Sequence, residues 1–257
     1  MTPLLLFSIF TVSILFSMLG LGGGVLYVPL LLQANLPFHS AVATSLAIML
    51  VMSLTAAVIY HSNKLIDWRI FFLLEPVTML GAYIGSYNSN LFQAKTLQIV
   101  FAVIMLLSAA LMFFPKTKPP SDKNKKSGFL HREKHGTVYY INLWFGIPIS
   151  FAAGFVSSII GIGGGFAKVP LMTLIFGVPI KVAVATSSAM IVLTALTGVT
   201  GHALSGHIDW KLCLILSVVV FFGALIGSKL SVKVDRKFLD RFFAGVQVLV
   251  ALWMLIK

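Results

Sequence analysis

The sequence predicts an all-α polytopic membrane protein built from two homologous repeats, and three observations support this fold class. Of the 257 residues, 58% are hydrophobic and 10% are charged, whereas about a quarter of the residues in a soluble domain are charged. Uncharged stretches near the length of a spanning helix, about 20 residues, recur along the chain. The second half of the chain also repeats several motifs of the first half.

The internal repeat divides the chain into two similar parts. The recurring motifs are GLGGGVLYVP at Gly20 and GIGGGFAKVP at Gly161, AVATS at Ala41 and Ala183, IDW at Ile66 and Ile208, and GAYIGS at Gly81 with GALIGS at Gly223. We therefore predict a first repeat over residues 1–115 and a second over residues 138–257. The basic linker between them, 116–137, contains Pro and Gly and is expected to form a mobile solvent loop.

Each repeat is expected to contain a helix that ends at the glycines, a short helix and three long helices. The ranges are 3–19, 25–34, 40–60, 68–87 and 96–114 in the first repeat, and 138–160, 166–177, 183–203, 210–228 and 238–256 in the second. The short segments are too brief to cross the hydrocarbon. We therefore expect each glycine break to reverse the chain, which gives a glycine-broken helical hairpin followed by three transmembrane helices. Asp67 and Asp209 are expected to cap the fourth helix of each repeat.

The positive charges predict the orientation of the two repeats. If both breaks are hairpins, the repeats are inverted, and fifteen of the nineteen Lys and Arg residues lie on one side, as the positive-inside tendency requires. Both termini then lie on the other side. The apolar N-terminal segment lacks a basic start and a cleavage site, so we expect it to be retained. Because the net charge of +12 collects in loops, it indicates membrane orientation and predicts no nucleic-acid partner.

The glycine breaks are the strongest candidates for a substrate site. A helix that stops and restarts inside the membrane exposes backbone N–H groups that attract an anion, and glycines let a ligand approach the backbone. Broken helices in matched positions of two halves are typical of secondary transporters. The alternative is that the glycines only allow close helix packing. The candidate residues are Gly22, Gly23, Gly24, Gly163, Gly164 and Gly165.

Polar side chains beside the breaks complete the predicted substrate site. They are Tyr27, Thr44 and Ser45 in the first repeat, and Lys168, Thr186 and Ser187 in the second. Lys168 occupies the repeat position of Tyr27, and an ionisable residue at membrane depth is a functional candidate. Alternatively, Lys168 extends to the membrane surface along an apolar stem. The Thr and Ser hydroxyls either donate to a ligand at a helix N-terminus or bond to carbonyls of their own helices.

Two other ionisable residues are candidates for proton coupling. Glu75 lies inside a long apolar segment, and it either carries a coupling proton or forms a structural pair near Arg69. His202, the second candidate, lies near a helix end, where a histidine commonly makes hydrogen bonds at the membrane interface. The single cysteine, Cys213, excludes an intrachain disulfide. We predict no metal site and no cofactor, and the motifs of intramembrane enzymes are absent from the sequence, so no enzyme is expected.

The duplicated glycine motif with its AVATS element resembles the sulfite exporter TauE/SafE family of membrane permeases, and the resemblance covers the chain outside the linker. It implies a multi-pass permease of a bacterial or archaeal inner membrane that moves a small sulfur-containing anion, such as sulfite or an organosulfonate. The expected partners are that anion and the lipid bilayer. A membrane assembly or anchoring factor that transports nothing is the alternative. The exact substrate, direction, coupling ion and oligomeric state are not predicted.

Overall fold

The computed structural model describes residues 3–88, 103, 106, 129–134, 137–161, 163–204 and 208–256. Its helices are α1 (Pro3–Leu19), α2 (Gly24–Gln33), α3 (Phe38–Ser62), α4 (Trp68–Tyr87), α5 (Leu143–Ile160), α6 (Gly165–Pro170, continued by a π-helical turn, Leu171–Ile175), α7 (Ile180–Leu204), α8 (Trp210–Lys233) and α9 (Arg236–Ile256). Two strands, β1 (Phe129–Lys134) and β2 (Thr137–Asn142), form an antiparallel hairpin. Most of the predicted helix 96–114 and most of the predicted linker 116–137 lie outside the described residues.

The lengths of the helices confirm the all-α polytopic class. Within the described residues, α3, α4, α5, α7 and α8 are long and apolar enough to cross a membrane. The helices beside the glycine breaks are shorter, namely α1, α2 and the segment Gly165–Ile175. This division into long and short helices follows the lengths of the uncharged segments.

The first glycine break reverses the chain, as predicted. A groove of about 360 Å³ is lined by Phe7 and Ser8 of α1 together with Leu30 and Gln33 of α2. If α2 simply continued α1, Phe7 and Gln33 would lie roughly 39 Å apart at the rise of an α-helix. The two helices therefore lie side by side as a hairpin.

Helices α3 and α7 run in opposite directions. Asp67, between α3 and α4, donates its backbone N–H to Thr186 near the start of α7, over 2.9 Å. Leu46 near the start of α3 packs against Gly198 near the end of α7. These contacts make α3 and α7 antiparallel, although their sequences are equivalent in the repeat.

Glycines bring α4 into backbone contact with α5, and α8 into backbone contact with α1. Gly81 and Gly85 of α4 face the backbones of Phe151 and Phe155 of α5, while Gly223 and Gly227 of α8 face those of Phe10 and Ile14 of α1. A Cβ atom at any of these glycines would collide with a neighbouring carbonyl oxygen. The two sets are equivalent in the sequence repeat, so the first helix of each half packs against the fourth helix of the other half.

Two hydrogen bonds show which loops and helix ends lie at one end of the helix bundle. Lys181 at the start of α7 donates to the carbonyl oxygen of Val232 at the end of α8, over 2.7 Å. The hydroxyl of Tyr139 in β2 donates to the carboxylate of Asp67. The β-hairpin, the α3–α4 loop, the start of α7 and the end of α8 therefore lie together at one end of the bundle.

Two details of the linker prediction were wrong. Residues 129–134 form β1 rather than a mobile loop, and the following helix begins at Leu143 rather than at 138. The segment TVYYIN from Thr137 is rich in aromatic and β-branched residues, which favour a strand over a helix. Asn142 ends this strand and caps α5, because its side chain accepts a hydrogen bond from the backbone N–H of Trp144 over 3.1 Å.

Candidate functional site

The two glycine breaks meet in the interior of the helix bundle. A Cβ atom at Gly165 would collide with the carbonyl oxygen of Gly20, and one at Gly163 would lie 3.5 Å from the Cα atom of Gly22. The breaks therefore touch backbone to backbone, which only residues without side chains allow. Of the sequence-predicted glycines, Gly22, Gly163 and Gly165 take part in this contact.

Each break accepts a hydrogen bond from a serine of the other half. Ser45 of α3 donates to the carbonyl oxygen of Gly161 over 2.8 Å, and Ser187 of α7 donates to that of Gly20 over 2.9 Å. Both serines are fully buried. The hydroxyls of these two predicted site residues thus donate to backbone carbonyls of the breaks. They do not donate to carbonyls of their own helices.

The neighbouring threonines have other surroundings. Thr186 accepts the backbone N–H of Asp67, which links α7 to the start of α4. Thr44 is equally buried and lies beside Cys213 of α8. The structure therefore places the two threonines in contact with helices α4 and α8, away from the breaks that their serine neighbours hold.

Lys168 forms a buried cluster with Glu75 and Thr194. Its ammonium Nζ lies 2.8 Å from Oε2 of Glu75 and 3.1 Å from Oγ1 of Thr194. The Thr194 hydroxyl in turn donates to Oε1 of Glu75 over 2.6 Å. Lys168 and Glu75 each have 0% exposure. A lysine and a carboxylate from segments 93 residues apart in sequence thus form a closed ion pair inside the protein.

This geometry corrects two sequence expectations. Glu75 pairs with Lys168 and lies in the interior, instead of pairing near the membrane surface with Arg69. Lys168 is completely buried, so the interpretation that it extends to the membrane surface was wrong. The pairing itself, and Thr194, were missed by the sequence reading. The available signal was that Lys168 and Glu75 are both single charges in apolar segments, and such charges within a membrane usually pair with each other.

Tyr27 occupies the equivalent position in the first half, and its cluster is uncharged. The Tyr27 hydroxyl lies 2.8 Å from Oγ of Ser13 and 3.2 Å from Sδ of Met52. Met52 corresponds to Thr194 in the sequence repeat. Tyr27 and Lys168 also fold back over their own breaks, because Cβ atoms at Gly23 and Gly164 would lie 2.7 Å and 3.1 Å from them.

His202 lies apart from this cluster. It is buried in α7, and its Nε2 atom lies 3.4 Å from the carbonyl oxygen of Ser158 at the end of α5. It follows Thr194 by eight residues, or roughly 12 Å along a helix. Tyr60 makes the equivalent contact in the first half, donating to the carbonyl oxygen of Ser17 over 2.8 Å. In the part of the chain that the structure describes, no group of His, Cys, Asp and Glu could hold a metal ion.

The fold and the paired breaks define a class, that of polytopic α-helical membrane proteins with two broken helices in contact at their centre. Residues 5–254 match the family model described as sulfite exporter TauE/SafE. The chain belongs to this family, which is a family of membrane transporters, and the resemblance stated from the glycine motifs is confirmed.

Relatives from bacteria, archaea and plants are similar to the chain along most of its length. A probable membrane transporter protein of Bacillus subtilis, YunE, is 32% identical over 91% of this chain and 90% of its own. A probable membrane transporter protein of Methanocaldococcus jannaschii is 24% identical over 99% and 95%. Sulfite exporter TauE/SafE family protein 6 of Arabidopsis thaliana is 22% identical over 89% and 73%. No solved structure matches the chain.

Proposed function

We propose that this chain is a secondary transporter that moves a small sulfur-containing anion, such as sulfite or an organosulfonate, through a site at the two glycine breaks. The observation that carries the proposal is the contact of Gly163 with Gly22 and of Gly165 with Gly20. The family description supports the class of substrate, and the names of the relatives support transport. We propose that the chain is not an enzyme.

The breaks offer the groups that a small anion needs. Helices α2 and α6 both begin at this contact, so the positive ends of two helix dipoles lie next to each other. Lys168 adds a full positive charge one turn into the second restarted helix, over Gly164. Tyr27 adds a neutral hydroxyl on the other side. An anion between the breaks would therefore meet backbone N–H groups, a cation and a phenol.

Transport requires the closed contact to open. The breaks are in contact, and the ammonium of Lys168 is already paired with the Glu75 carboxylate. An anion must therefore separate the two breaks and compete with that carboxylate for Lys168. The antiparallel directions of α3 and α7 support the interpretation that the repeats are inverted. Inverted repeats can exchange their conformations, which lets transporters of this architecture open a central site to each side in turn.

We further propose a location in the cytoplasmic membrane of a bacterium or archaeon, with the α3–α4 loop toward the cytoplasm. Cysteines replacing the exposed residues Ser62 and Lys233 should react with an impermeant maleimide from one side, and a cysteine replacing Lys211 from the other. These variants need a Cys213→Ser background. Labelling of all three from one side would contradict the inverted arrangement.

Counterflow in proteoliposomes tests transport, because it needs neither a known direction nor a known coupling ion. Vesicles loaded with unlabelled sulfite or methanesulfonate should take up the same labelled anion when they contain the protein, and empty vesicles should not. The double variant Lys168→Met/Glu75→Gln leaves no buried charge in this cluster, so it should fold, and its flux should fall at least about tenfold, as expected for a lost charge-assisted contact. The matched variant Tyr27→Phe should lose less.

The opposite results have clear meanings. If the folded protein exchanges neither anion, the proposed class of substrate is wrong, and an assembly or anchoring role gains support. If the double variant exchanges the anion as fast as the parent protein, transport stands and Lys168 lies outside the pathway.

A further inference from the structure

The Lys168–Glu75 pair constrains the total charge that the centre of the protein can hold. The two side chains are fully buried and lie in contact at 2.8 Å, so their charges cancel. Thr194 bridges them with one accepted and one donated hydrogen bond. A monovalent anion that binds Lys168 would add one negative charge to this neutral cluster. A buried charge without a partner is strongly unfavourable.

The surrounding helices offer few other charges to balance that anion. Among the described residues, α5 contains no ionisable side chain between Leu143 and Ile160, although it packs along the helix of Glu75. Helix α7 contributes Lys181, which bonds to Val232, and His202, which contacts the carbonyl of Ser158. At the start of α4, the buried carboxylate of Asp67 accepts the hydroxyl of Tyr139 and caps the helix eight residues before Glu75, and Arg69 in the first turn is exposed. The carboxylate of Glu75 is therefore the group best placed to change its charge.

We infer that this protein couples each transported anion to one proton, because the anion displaces the Glu75 carboxylate from Lys168 and Glu75 then takes up a proton. The inference rests on the proposed function and names its coupling ion. The proton comes from water on the side from which the anion enters, and it forms an O–H bond on a Glu75 oxygen. The cluster then holds the Lys168 cation, the anion and a neutral carboxylic acid, so its net charge stays zero. Release of the anion lets the proton leave and the ion pair form again.

Thr194 acts as a positioning residue in this cycle. Its hydroxyl donates to Oε1 of Glu75, while Lys168 holds Oε2. The carboxylate is thus fixed on both oxygens as long as it is ionised. Once the anion has displaced the carboxylate from Lys168, Glu75 takes up a proton and becomes neutral, and the ammonium keeps the anion as its charged partner.

Proton uptake during binding tests the inference directly. Methanesulfonate is a suitable probe, because it stays a monoanion and carries no proton of its own near neutral pH. Purified protein in weakly buffered detergent is saturated with methanesulfonate, and a pH indicator reports the protons bound. Each protein molecule should take up about one proton. The affinity should fall by up to about tenfold per unit of increasing pH, as linkage to one proton requires. Glu75→Gln should bind with an affinity independent of pH and take up no proton.

The matched control is Thr194→Val, which keeps both ionisable groups. It should change the affinity for methanesulfonate, because it removes the hydroxyl that holds both Glu75 and Lys168, and it should still take up about one proton. If Glu75→Gln does not fold, the proton counts of the parent protein and of Thr194→Val still decide the question. Binding of methanesulfonate without proton uptake by the parent protein would overturn the coupling and leave transport intact. A folded protein that does not bind methanesulfonate and exchanges neither methanesulfonate nor sulfite in counterflow would instead overturn the proposed function.

Discussion

The two halves of the molecule build equivalent positions from different chemistry. At the second break, Lys168 pairs with Glu75 across the helix bundle, whereas Tyr27 at the first break makes neutral contacts with Ser13 and Met52. Both residues are fully buried, and both fold over the break of their own half. The two positions are thus equivalent in place, while only the side chain at the second break is charged and has a charged partner, which the first half supplies.

This difference separates what the fold needs from what the proposed function needs. Contacts present in both halves, such as the serine bonds to Gly20 and Gly161, hold the two breaks together. Contacts made at one break alone, such as the buried ion pair of Lys168 with Glu75, are unnecessary for that architecture, because the other break does without them. A neutral hydrophobic cluster is usually as stable as a buried ion pair. We therefore look for substrate chemistry where the halves differ.

Removal of the cation should have the largest effect on stability. Lys168→Met leaves the Glu75 carboxylate buried without a partner, and breaking a buried pair in this way costs about 3–5 kcal/mol. Tyr27→Phe removes one neutral hydroxyl and should cost about 1 kcal/mol. Thermal unfolding of the two variants in the same detergent, followed by loss of the monodisperse protein, compares the effects.

The double variant Lys168→Met/Glu75→Gln serves as the control for this comparison. It removes both charges together and should recover most of the lost stability. Equal midpoints for Lys168→Met and Tyr27→Phe would show that Glu75 finds another partner or becomes neutral by taking up a proton, and the contrast between the two breaks would then lose its energetic meaning.

The helix caps Asp67 and Asp209 provide a second contrast, with a smaller expected effect. Asp209 is exposed and accepts one backbone N–H, from Leu212 over 3.0 Å. Asp67 has 0% exposure, caps the start of α4 and also accepts the hydroxyl of Tyr139 from the β-hairpin. Asp209→Ala should cost about 1 kcal/mol, as cap removal usually does.

Asp67→Ala should cost about 1.5–3 kcal/mol more, because it also removes a hydrogen bond to a buried charged group. Tyr139→Phe should reproduce most of this additional cost and leave the cap intact. The measurement is again thermal unfolding, and similar losses at Asp67 and Asp209 would mean that the hairpin adds nothing to the stability of this end of the bundle.

Much of the fold follows from local sequence patterns. The uncharged segments give the helices, and the predicted range 68–87 coincides with α4 because Asp67 supplies a cap with a side-chain acceptor. The glycines identify the breaks because few other residues allow the chain to turn inside a membrane. The strand TVYYIN was missed, since its apolar residues merge with the next helix when only hydrophobicity is read.

The positions of the two backbone breaks at the candidate site were predictable from the sequence, whereas the partners of its side chains were less so. Glycine spacing shows where the chain breaks, but the partner of Lys168 lies 93 residues earlier, and no local pattern connects the two. A similar limit applies to Thr44 and Ser45, which are adjacent in sequence and lie on different faces of α3. Which of them meets a break depends on how the helices pack.

The smallest expected contrast is between alanine substitutions at Gly23 and Gly164, which the sequence repeat treats as equivalent. The backbone differs, because Gly23 has a φ of +76° and Gly164 a φ of −61°. Alanine at Gly23 should therefore cost about 1–2 kcal/mol for the left-handed conformation, and its Cβ would also press on the Tyr27 ring. At Gly164 the conformation suits alanine, and the nearby Lys168 stem can shift, so the change should stay within about 1 kcal/mol. Unfolding midpoints of the two variants test the difference, and equal losses would mean that contact between the breaks, rather than local backbone conformation, sets the need for glycine.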